Sequence, residues 1–354
     1  MISIEVSASR CYEVLIGKGV LSLVGETAKV LHPKAKKAHI VTDFHVYDLY
    51  QEPVEKSLSK AGFEVTFSCL RPGETVKSGY QFLTLLDDFA AEKITRSDVI
   101  IALGGGVIGD LAGFAAATYQ RGIAYIQLPT TLLAMVDASV GGKTAINLSA
   151  GKNLAGAFYQ PSLVLCDTAT LETLPDAVYR DGFAEVIKYA MLGSRKLLKA
   201  LLSEDEPDIE QIIAQCVTLK RDIVAQDEFD QNQRILLNLG HTIGHAIEQL
   251  SEYEISHGAA VAIGMAIDTR AAVALGFCPE ECLLALNRLL SRFALPSQTD
   301  FTPKALYEAA LGDKKRSGNT ITMTVPRTLG RSEWTTIPTE ALLEWIERGH
   351  MPCK

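Results

Sequence analysis

The stretch Ser97–Gly122, SDVIIALGGGVIGDLAGFAAATYQRG, decides the fold class of this chain. It opens with a short apolar run of the kind that forms a buried strand, and a glycine-rich turn then leads into a helical pattern. A strand that passes through a tight turn into a helix is the repeating unit of a parallel sheet with crossover helices. The stretch therefore predicts an α/β fold for this part of the chain.

Similar apolar runs recur on both sides of this stretch, with segments of helical periodicity between them. Each run predicts a strand of a parallel sheet, and each longer segment predicts a helix. The predicted strands comprise residues 2–6, 12–16, 37–43, 64–70, 97–103, 123–128 and 161–167. The predicted helices of this half comprise residues 18–31, 44–60, 76–93 and 111–122. Residues 136–153 are rich in glycine and are predicted to form a loop.

After about Pro175 the composition changes, and almost every segment has helical periodicity. Helices are predicted over residues 177–203, 207–226, 232–253, 258–275, 279–293, 303–311 and 339–349, with one pair of strands over 320–326 and 333–337. We therefore predict two domains, an α/β nucleotide-binding domain over residues 1–176 and a mostly helical domain over residues 177–354.

The composition argues against several classes of protein. With 354 residues, 47% of them hydrophobic, the chain can form two folded domains and is too apolar for a disordered protein. We expect no membrane partner, because no apolar run approaches the ~20 residues that a membrane span needs. The net charge of −8 and the lack of a basic stripe argue against nucleic acid. Seven scattered cysteines and no signal peptide predict a cytoplasmic protein with reduced thiols.

The glycine-rich turn after the predicted strand has the spacing of a dinucleotide-binding motif. Gly104, Gly106 and Gly109 satisfy GxGxxG between a strand and a helix. Glycines let the backbone approach a pyrophosphate closely, and the helix N-terminus attracts its charge. The motif does not open the domain, however, and no second strand ends in an acid roughly 20 residues later. Because such turns also serve packing alone, a nucleotide site and a packing turn both remain open.

A second glycine-rich region carries two lysines, Lys143 in the run GGKT and Lys152 in the run GKN. GGKT resembles the end of a P-loop, but Asp137 occupies the place of the first glycine in GxxxxGK[ST], so ATP hydrolysis is disfavoured. Lysines flanked by glycines near a strand end are typical of anion contacts. A solvated surface loop has the same spacing, and the pattern alone leaves both interpretations open.

Three of the seven histidines lie in Asn238–Gly258, NLGHTIGHAIEQLSEYEISHG. His241 and His245 are four residues apart and share one face of a helix, and His257 precedes an apolar segment that predicts a second, buried helix. Neutral imidazoles that converge on one point suit a divalent transition metal. The glutamate of HExxH is missing, so the pattern does not support a zinc protease. A metal or catalytic site and a pair of core histidines both remain open.

Other polar residues lie on segments that are otherwise apolar. Arg234 and Asn238 extend the spacing of the first two histidines into one helical stripe, whose composition favours the lining of a site over a solvated face. Glu185 lies on an apolar helical segment, where a carboxylate is costly unless it is paired or bound to a metal. An ion pair between Glu185 and Lys188 is the alternative to a metal ligand.

Seven motifs, in order along nearly the whole chain, together resemble the 3-dehydroquinate synthase family, whose fold is shared with glycerol dehydrogenases. The motifs are PGETVK (72–77), GGGVIGDLAGF (104–114), LPTTLLAMVDASVGGKTAIN (128–147), GKNLAGAFYQP (151–161), FAEVIKYA (183–190), NLGHTIGHAIE (238–248) and HGAAVAIGM (257–265). The resemblance implies an α/β domain that binds NAD, a helical domain that binds metal and substrate, and an active site between them.

The resemblance also implies a reaction of the shikimate pathway of aromatic amino-acid biosynthesis. The family's enzyme is a carbon–oxygen lyase that converts 3-deoxy-D-arabino-heptulosonate 7-phosphate into 3-dehydroquinate and phosphate. NAD oxidises the C5 hydroxyl, phosphate is eliminated, the hydride returns, and an aldol reaction closes the carbocycle. A divalent metal, Zn²⁺ or Co²⁺, acts as the Lewis acid. A homodimer is implied as well.

The family's functional residues can be placed on this sequence one by one. The metal ligands fall on Glu185, His241 and His257, and three protein ligands with open positions are typical of a catalytic zinc. His245 resembles the family's active-site histidine, a substrate contact that transfers protons. The implied NAD contacts are Asp43, Glu74, Lys77, Gly105, Gly106, Asp110, Thr130, Thr131, Lys143, Lys152, Thr170 and Thr173. The implied substrate contacts are Arg121, Asp137, Lys143, Lys152, Asn153, Lys188, Lys220, Arg234, Asn238, His245 and Lys314.

One segment departs from the family pattern KAxVVxxDExExGxR. From Lys220 to Arg234 the chain reads KRDIVAQDEFDQNQR, which keeps the length and the acidic pair but not the small residues. The resemblance therefore implies no conformation for Phe229–Gln233. It also does not distinguish Lys314 from Lys315 as the substrate contact.

Three other functions share parts of this pattern. A sugar-phosphate cyclase with another substrate would keep the NAD and metal motifs, but Arg234, Asn238 and His245 favour the synthase. A metal–NAD polyol dehydrogenase would not need so many cations for phosphate and carboxylate groups. A scaffold without chemistry predicts broken metal or NAD positions, and none is broken in this sequence.

Overall fold

In the computed structural model, which describes residues 1–312, 316–317 and 319–353, the chain divides into two units. The first comprises residues 1–175 with 220–228, and the second comprises residues 176–219 with 229 onward. The main junction lies next to the predicted boundary, but the short segment from Lys220 to Glu228 belongs to the first unit. The division into an NAD-binding half and a metal-binding half stays a prediction.

The secondary structure alternates between strands and helices in the first unit and is mostly helical in the second. The described strands are β1 (Ile2–Val6), β2 (Tyr12–Gly17), β3 (Lys37–Asp43), β4 (Glu64–Leu70), β5 (Val99–Gly104), β6 (Ala124–Pro129), β7 (Lys143–Leu148), β8 (Gly151–Phe158), β9 (Leu163–Asp167), β10 (Arg316–Ser317), β11 (Thr320–Thr328) and β12 (Arg331–Pro338). The described α-helices are α1 (Val24–Leu31), α2 (Phe44–Lys60), α3 (Gly79–Ala91), α4 (Gly106–Thr118), α5 (Asp176–Leu192), α6 (Arg195–Leu202), α7 (Ile209–Gln226), α8 (His241–Leu250), α9 (His257–Ala274), α10 (Glu280–Arg292), α11 (Pro303–Ala310) and α12 (Ala341–Gly349).

The first unit is built on a seven-stranded sheet with the order β1-β2-β9-β6-β5-β3-β4. All neighbouring strands are parallel except β1 and β2, which form an antiparallel pair at one edge. The paired ends of β3 with β4 and of β5 with β6 place Asp43 opposite Leu70 and Gly104 opposite Pro129. These carboxyl ends share one side of the sheet, which is where such sheets bind ligands. The predicted α/β fold is confirmed, with an antiparallel edge that the alternation of strands and helices did not indicate.

The predicted loop over residues 136–153 is wrong. β7 and β8 form an antiparallel hairpin here, and the preceding segment Ala134–Ala138 forms a single π-helical turn. Ala145 and Ile146 of β7 are buried, and the Asn147 amide N–H donates a 2.8 Å hydrogen bond to the Lys77 carbonyl. These contacts with distant parts of the chain stabilise the hairpin, which its glycine-rich composition does not predict.

The second unit is organised around α9, which contacts α5, α8, α10 and α12. Residues 260–269 of this helix are all buried, so it is covered around its whole circumference. A helix of this kind is stable because neighbouring helices cover each of its faces. Within the described residues, no helix has the length and apolar composition needed to cross a membrane. All seven cysteines are free thiols.

The single helix predicted over residues 232–253 is also wrong. A 3₁₀ turn over Gln233–Asn238 is separated from α8 by Gly240, which has φ of +76°. Gly240 lies so close to α9 that a Cβ atom would be 2.7 Å from the Val261 carbonyl oxygen. The close crossing of the two segments interrupts the helix, and Arg234 therefore does not share a continuous helix face with the histidines.

The buried His39 in β3 is expected to make the stability of the first unit depend on pH. Its ring nitrogens lie 2.7 Å from the Thr66 hydroxyl and 3.0 Å from the Ser68 hydroxyl. Burial lowers the pKa of His39 to about 4, against the opposing effect of the Asp88 carboxylate. Between pH ~6.5 and pH ~4 the imidazole is protonated in the unfolded chain and neutral in the folded one. The free energy of unfolding is therefore unaffected by His39 above pH ~6.5 and falls as the pH drops towards ~4, by about 3 kcal/mol in total.

We expect His39→Gln to remove part of this pH dependence. Urea unfolding at about pH 7 and pH 5 should show a smaller loss of unfolding free energy in the variant, by roughly 2 kcal/mol. The comparison of slopes separates protonation of His39 from the packing cost of the substitution, which is present at both pH values. Equal slopes in the two proteins would contradict the assignment.

Candidate active site

Glu185, His241 and His257 form a compact group of possible metal ligands in the second unit. Glu185 on α5 is 1% exposed, and its Oε1 atom lies 3.4 Å from Nε2 of each histidine. One ligand atom from each residue lies within 4.8 Å of the other two. One carboxylate and two imidazoles suit Zn²⁺ or Co²⁺, and three protein ligands leave open positions for oxygen atoms of a substrate.

The local structure explains why both histidines point to Glu185. His241 is the first residue of α8 because Gly240 ends the preceding turn, and His257 is the first residue of α9. The Ser256 hydroxyl accepts a hydrogen bond from the Ala259 amide and caps α9. The starts of the two helices therefore set the positions of the two imidazoles. The four-residue spacing between His241 and His245 plays no part in this arrangement.

The buried carboxylate of Glu185 interacts with Lys188 and with both histidines, and these contacts shift the pKa values of the group. Burial would raise the pKa of Glu185, but the Lys188 ammonium and His241 hold it well below its ordinary value. Burial lowers the pKa of His241 to about 4. Burial would also lower the pKa of His257, but hydrogen bonds to Glu185 and Glu248 raise it to about 10. The ion pair between Glu185 and Lys188 is present, and it does not exclude a metal, because each carboxylate oxygen can accept more than one partner.

His245 lies beside this group without joining it. Its ring centroid is 5.6 Å from that of His241 and 6.2 Å from that of His257. A second group of possible ligands combines His245 with Glu248 and His257. Its position next to the three-residue group agrees with the predicted role in proton transfer, which stays a prediction.

In the first unit, several of the predicted NAD and substrate contacts meet near the strand ends. The buried Lys77 donates hydrogen bonds to the carboxylate of Asp110 and to the side chain of Asn153. The Asn147 side chain donates to Glu74 at 2.7 Å and accepts from the Asn153 amide at 2.9 Å. Burial raises the pKa of Asp110, and Lys77 opposes this effect. Lys77 thus joins Asn153 of the hairpin to Asp110 of α4.

The other predicted NAD contacts lie in the turns that follow the strands. The Asp43 carboxylate accepts two amide hydrogen bonds at the start of α2. Gly105 and Gly106 lie at the start of α4, and the buried hydroxyl of Thr130 has no hydrogen-bond partner among the described residues. An unused buried hydroxyl beside a helix N-terminus fits a polar ligand. The remaining three threonines bond to nearby main chain, namely Thr131, Thr170 and Thr173.

The glycines of the GxGxxG turn differ in how closely they pack against neighbouring residues. A Cβ atom on Gly109 would lie 2.8 Å from the Gln127 side-chain oxygen, so α4 packs closely on the sheet at this position. A Cβ atom on Gly104 would lie 2.8 Å from the Ile108 side chain, and one on Gly106 would lie 3.3 Å from the Ala138 side chain. Close packing therefore contributes at Gly104 and Gly109, and the start of α4 at Gly106 stays available to a ligand.

The predicted substrate contacts are distributed over both units. Within the first, Lys220 forms an ion pair with Asp137, and Arg121 is exposed with φ of +66°. Within the second, Arg234 is 1% exposed and Asn238 is half-buried. Lys143 lies at the start of β7 and Lys152 in β8. Both Lys314 and Lys315 lie outside the described residues.

The divergent segment after Lys220 has a defined anchor in the first unit. Glu228 accepts hydrogen bonds from the Ser9 amide and hydroxyl and from the Gln160 side chain. Phe229, the next residue, is 54% exposed. The segment between Lys220 and Arg234 therefore has one residue, Glu228, that is held by three hydrogen bonds, and the residues after Phe229 are polar.

Two residues of these networks were not predicted from the sequence. Glu248 contacts His257, and it lies seven residues after His241, so a search for polar residues on the helix face of the histidines would have found it. Asn147 joins Glu74 to Asn153 across the hairpin. No local pattern indicates that Asn147 contacts Glu74, because the two residues are 73 positions apart.

Comparisons with known proteins identify the family. A family model described as 3-dehydroquinate synthase N-terminal matches residues 67–181, and one described as 3-dehydroquinate synthase C-terminal matches residues 182–316. A 3-dehydroquinate synthase of Enterococcus faecalis is 44% identical over 345 residues, which cover 95% of this chain and 96% of that protein.

Two solved structures are similar over almost the whole chain. A 2-deoxy-scyllo-inosose synthase complexed with carbaglucose-6-phosphate, NAD⁺ and Co²⁺ has a TM-score of 0.87 and 27% identity, with 98% of this chain and 100% of that chain covered. A probable glycerol dehydrogenase of Sinorhizobium meliloti has a TM-score of 0.64 over 94% of this chain and 95% of that chain, and its 17% identity shows the fold alone. The resemblance found in the motifs is confirmed, and the chain belongs to the 3-dehydroquinate synthase family.

Proposed function

We propose that this protein converts 3-deoxy-D-arabino-heptulosonate 7-phosphate into 3-dehydroquinate and phosphate, with NAD and a divalent metal, Zn²⁺ or Co²⁺, as cofactors. The observation that carries the proposal is the meeting of Glu185, His241 and His257 in a chain of this family. When bound, NAD supplies a hydride acceptor that is regenerated in each turnover, and the metal supplies a Lewis acid for the alcohol that is oxidised.

The residues of the second unit have distinct roles in this proposal. Glu185, His241 and His257 would hold the metal. Lys188 neutralises the buried carboxylate of Glu185 and presents an ammonium group to the substrate. His245 lies next to the metal ligands with a solvent-accessible ring, so it can accept a proton from the substrate and pass it on.

The proposed anion contacts are lysine, arginine and asparagine side chains from both units. A substrate with a carboxylate and a phosphate needs several cations, and arginine and lysine are suited to both groups. Arg234 is almost completely buried, which makes its charge effective in a site that excludes water. The proposed substrate contacts are Arg121, Asp137, Lys143, Lys152, Asn153, Lys188, Lys220, Arg234, Asn238, His245 and Lys314.

NAD is proposed to bind at the carboxyl ends of the parallel strands. The start of α4 offers backbone N–H groups to the pyrophosphate. Thr130, whose buried hydroxyl has no hydrogen-bond partner among the described residues, directly follows β6. The proposed contacts are Asp43, Glu74, Lys77, Gly105, Gly106, Asp110, Thr130, Thr131, Lys143, Lys152, Thr170 and Thr173. We also propose, from the family resemblance, that the protein is a cytoplasmic homodimer.

A second candidate is a related cyclase that acts on another sugar phosphate. It is supported by the similarity to the solved 2-deoxy-scyllo-inosose synthase over 98% of the chain. The 44% identity to a 3-dehydroquinate synthase favours the first candidate.

Phosphate release from 3-deoxy-D-arabino-heptulosonate 7-phosphate, recorded together with absorbance at the NADH band, distinguishes the candidates. With NAD in catalytic amount, we expect phosphate in large excess over NAD, no accumulation of NADH, and complete loss of activity when a chelator removes the metal. Lack of phosphate release with metal and NAD present would favour another sugar phosphate. NADH formed in step with turnover of a simple polyol would favour a dehydrogenase.

A further inference from the structure

Glu248 is a buried carboxylate with no role among the proposed ligands and substrate contacts. It lies on α8, seven residues after His241, and is 3% exposed. Burying a carboxylate costs free energy unless polar partners replace its water. The position of Glu248 therefore calls for a specific partner inside the second unit.

One such partner is the imidazole of His257. Oε2 of Glu248 lies 3.2 Å from Nδ1 of His257, and the opposite ring nitrogen, Nε2, lies 3.4 Å from Oε1 of Glu185. Glu248 thus holds the ring at Nδ1, and Nε2 faces Glu185. An ionised carboxylate can only accept hydrogen bonds, so Nδ1 must carry the hydrogen of the contact with Glu248. When Nε2 gives up its proton to a metal ion, the hydrogen on Nδ1 stays with Glu248, so the lone pair of Nε2 serves as the ligand.

The other histidine of the group is held in the same way by a neutral acceptor. Nδ1 of His241 lies 3.0 Å from the Leu239 carbonyl oxygen, and its Nε2 lies 3.4 Å from Glu185. A carbonyl also accepts only, so both rings present Nε2 to the same point. The two ligands differ in that the partner of His257 is charged, and a charged acceptor makes the imidazole a stronger ligand.

We propose that Glu248 is a positioning residue for metal binding, which orients the His257 ring and strengthens Nε2 as a ligand. This inference rests on the proposed metal site of Glu185, His241 and His257. It does not depend on which sugar phosphate the enzyme uses. It predicts an effect on metal affinity in the absence of both NAD and substrate.

Competition with a chromogenic chelator for Co²⁺ and for Zn²⁺ tests the proposal on the purified, metal-depleted protein. We expect Glu248→Ala to weaken metal binding by roughly 10–100-fold, the usual effect of losing such a partner. Glu248→Gln keeps the size and an oxygen that can accept from Nδ1, but lacks the charge, so a smaller loss of several-fold is expected. The visible spectrum of bound Co²⁺ should change in Glu248→Ala, because the ring is no longer held.

The control is Gln249→Ala, on the exposed side of the same helix, which should leave the affinity unchanged. Circular dichroism shows whether each variant is folded. If Glu248→Ala does not fold, the metal affinity of Glu248→Gln alone tests the inference. Wild-type affinity in a folded Glu248→Gln protein, with an unchanged Co²⁺ spectrum, would overturn the inference. Failure of the wild-type protein to bind either metal would instead overturn the proposed metal site.

Discussion

Replacement of His257 by alanine is expected to release the metal and to abolish most of the activity. The side chain supplies one of three ligand atoms that lie within 4.8 Å of one another, and no other histidine of the described residues belongs to the same group as Glu185 and His241. Loss of an outer partner alone commonly costs ~10–100-fold in metal affinity, so loss of a ligand should exceed roughly 100-fold. Metal content after dialysis and turnover with added metal measure the two effects.

The matched control is His245→Ala, on the neighbouring face of the same site. His245 lies 5.6 Å from His241 between ring centroids and is not one of the proposed ligands. We expect this variant to keep its metal and to lose roughly 10²–10⁴-fold in kcat, as is typical when a proton-transfer group is removed. A metal-free His245→Ala protein would show that the ligand assignment is wrong.

Gly258→Ala is expected to destabilise the second unit and to weaken metal binding, although glycine has no side chain to offer a ligand. A Cβ atom at this position would lie 2.1 Å from the Asp181 carbonyl oxygen and 2.6 Å from its carboxylate. The same carboxylate accepts a 3.0 Å hydrogen bond from the Ala259 amide, which joins α5 to the start of α9. The alanine would force these helices apart.

Separation of α5 from α9 should also move two of the proposed metal ligands apart. Glu185 lies one turn after Asp181 on α5, and His257 precedes Gly258 on α9. Overpacking typically costs about 1–3 kcal/mol and more when main chain must move, so we expect a loss of about 3 kcal/mol in unfolding free energy. Metal affinity should fall by roughly tenfold or more, in the range caused by displaced partners. Urea unfolding of the metal-free protein and chelator competition measure these two quantities.

Gly79→Ala provides a control for the same chemical change. Gly79 is the first residue of α3, and no atom lies within 4 Å of a Cβ atom placed there. Its substitution should change stability by less than about 1 kcal/mol and leave metal binding unchanged. If Gly258→Ala were as well tolerated as Gly79→Ala, the packing between α5 and α9 would not be what holds the ligands together.

Much of the fold could be predicted because it depends on local patterns. The strands Lys37–Asp43 and Glu64–Leu70 were predicted with the bounds that the structure has, since each is a short apolar run between turn residues. The hairpin of β7 and β8 was missed because its pairing brings glycine-rich segments together, and its stability comes from contacts such as Asn147 with Lys77. Intrinsic strand preference is weak when tertiary contacts decide the outcome.

The sequence by itself determined the α/β class of the first half, the helical character of the second half, and, through its motifs, the family. Only the tertiary structure decided how the polar residues are arranged. The break at Gly240 separates Arg234 from the histidines, and helix starts aim His241 and His257 at Glu185. Periodicity reports which face of a helix is buried, but the meeting of three helices depends on contacts between residues far apart in the chain, which no local pattern records.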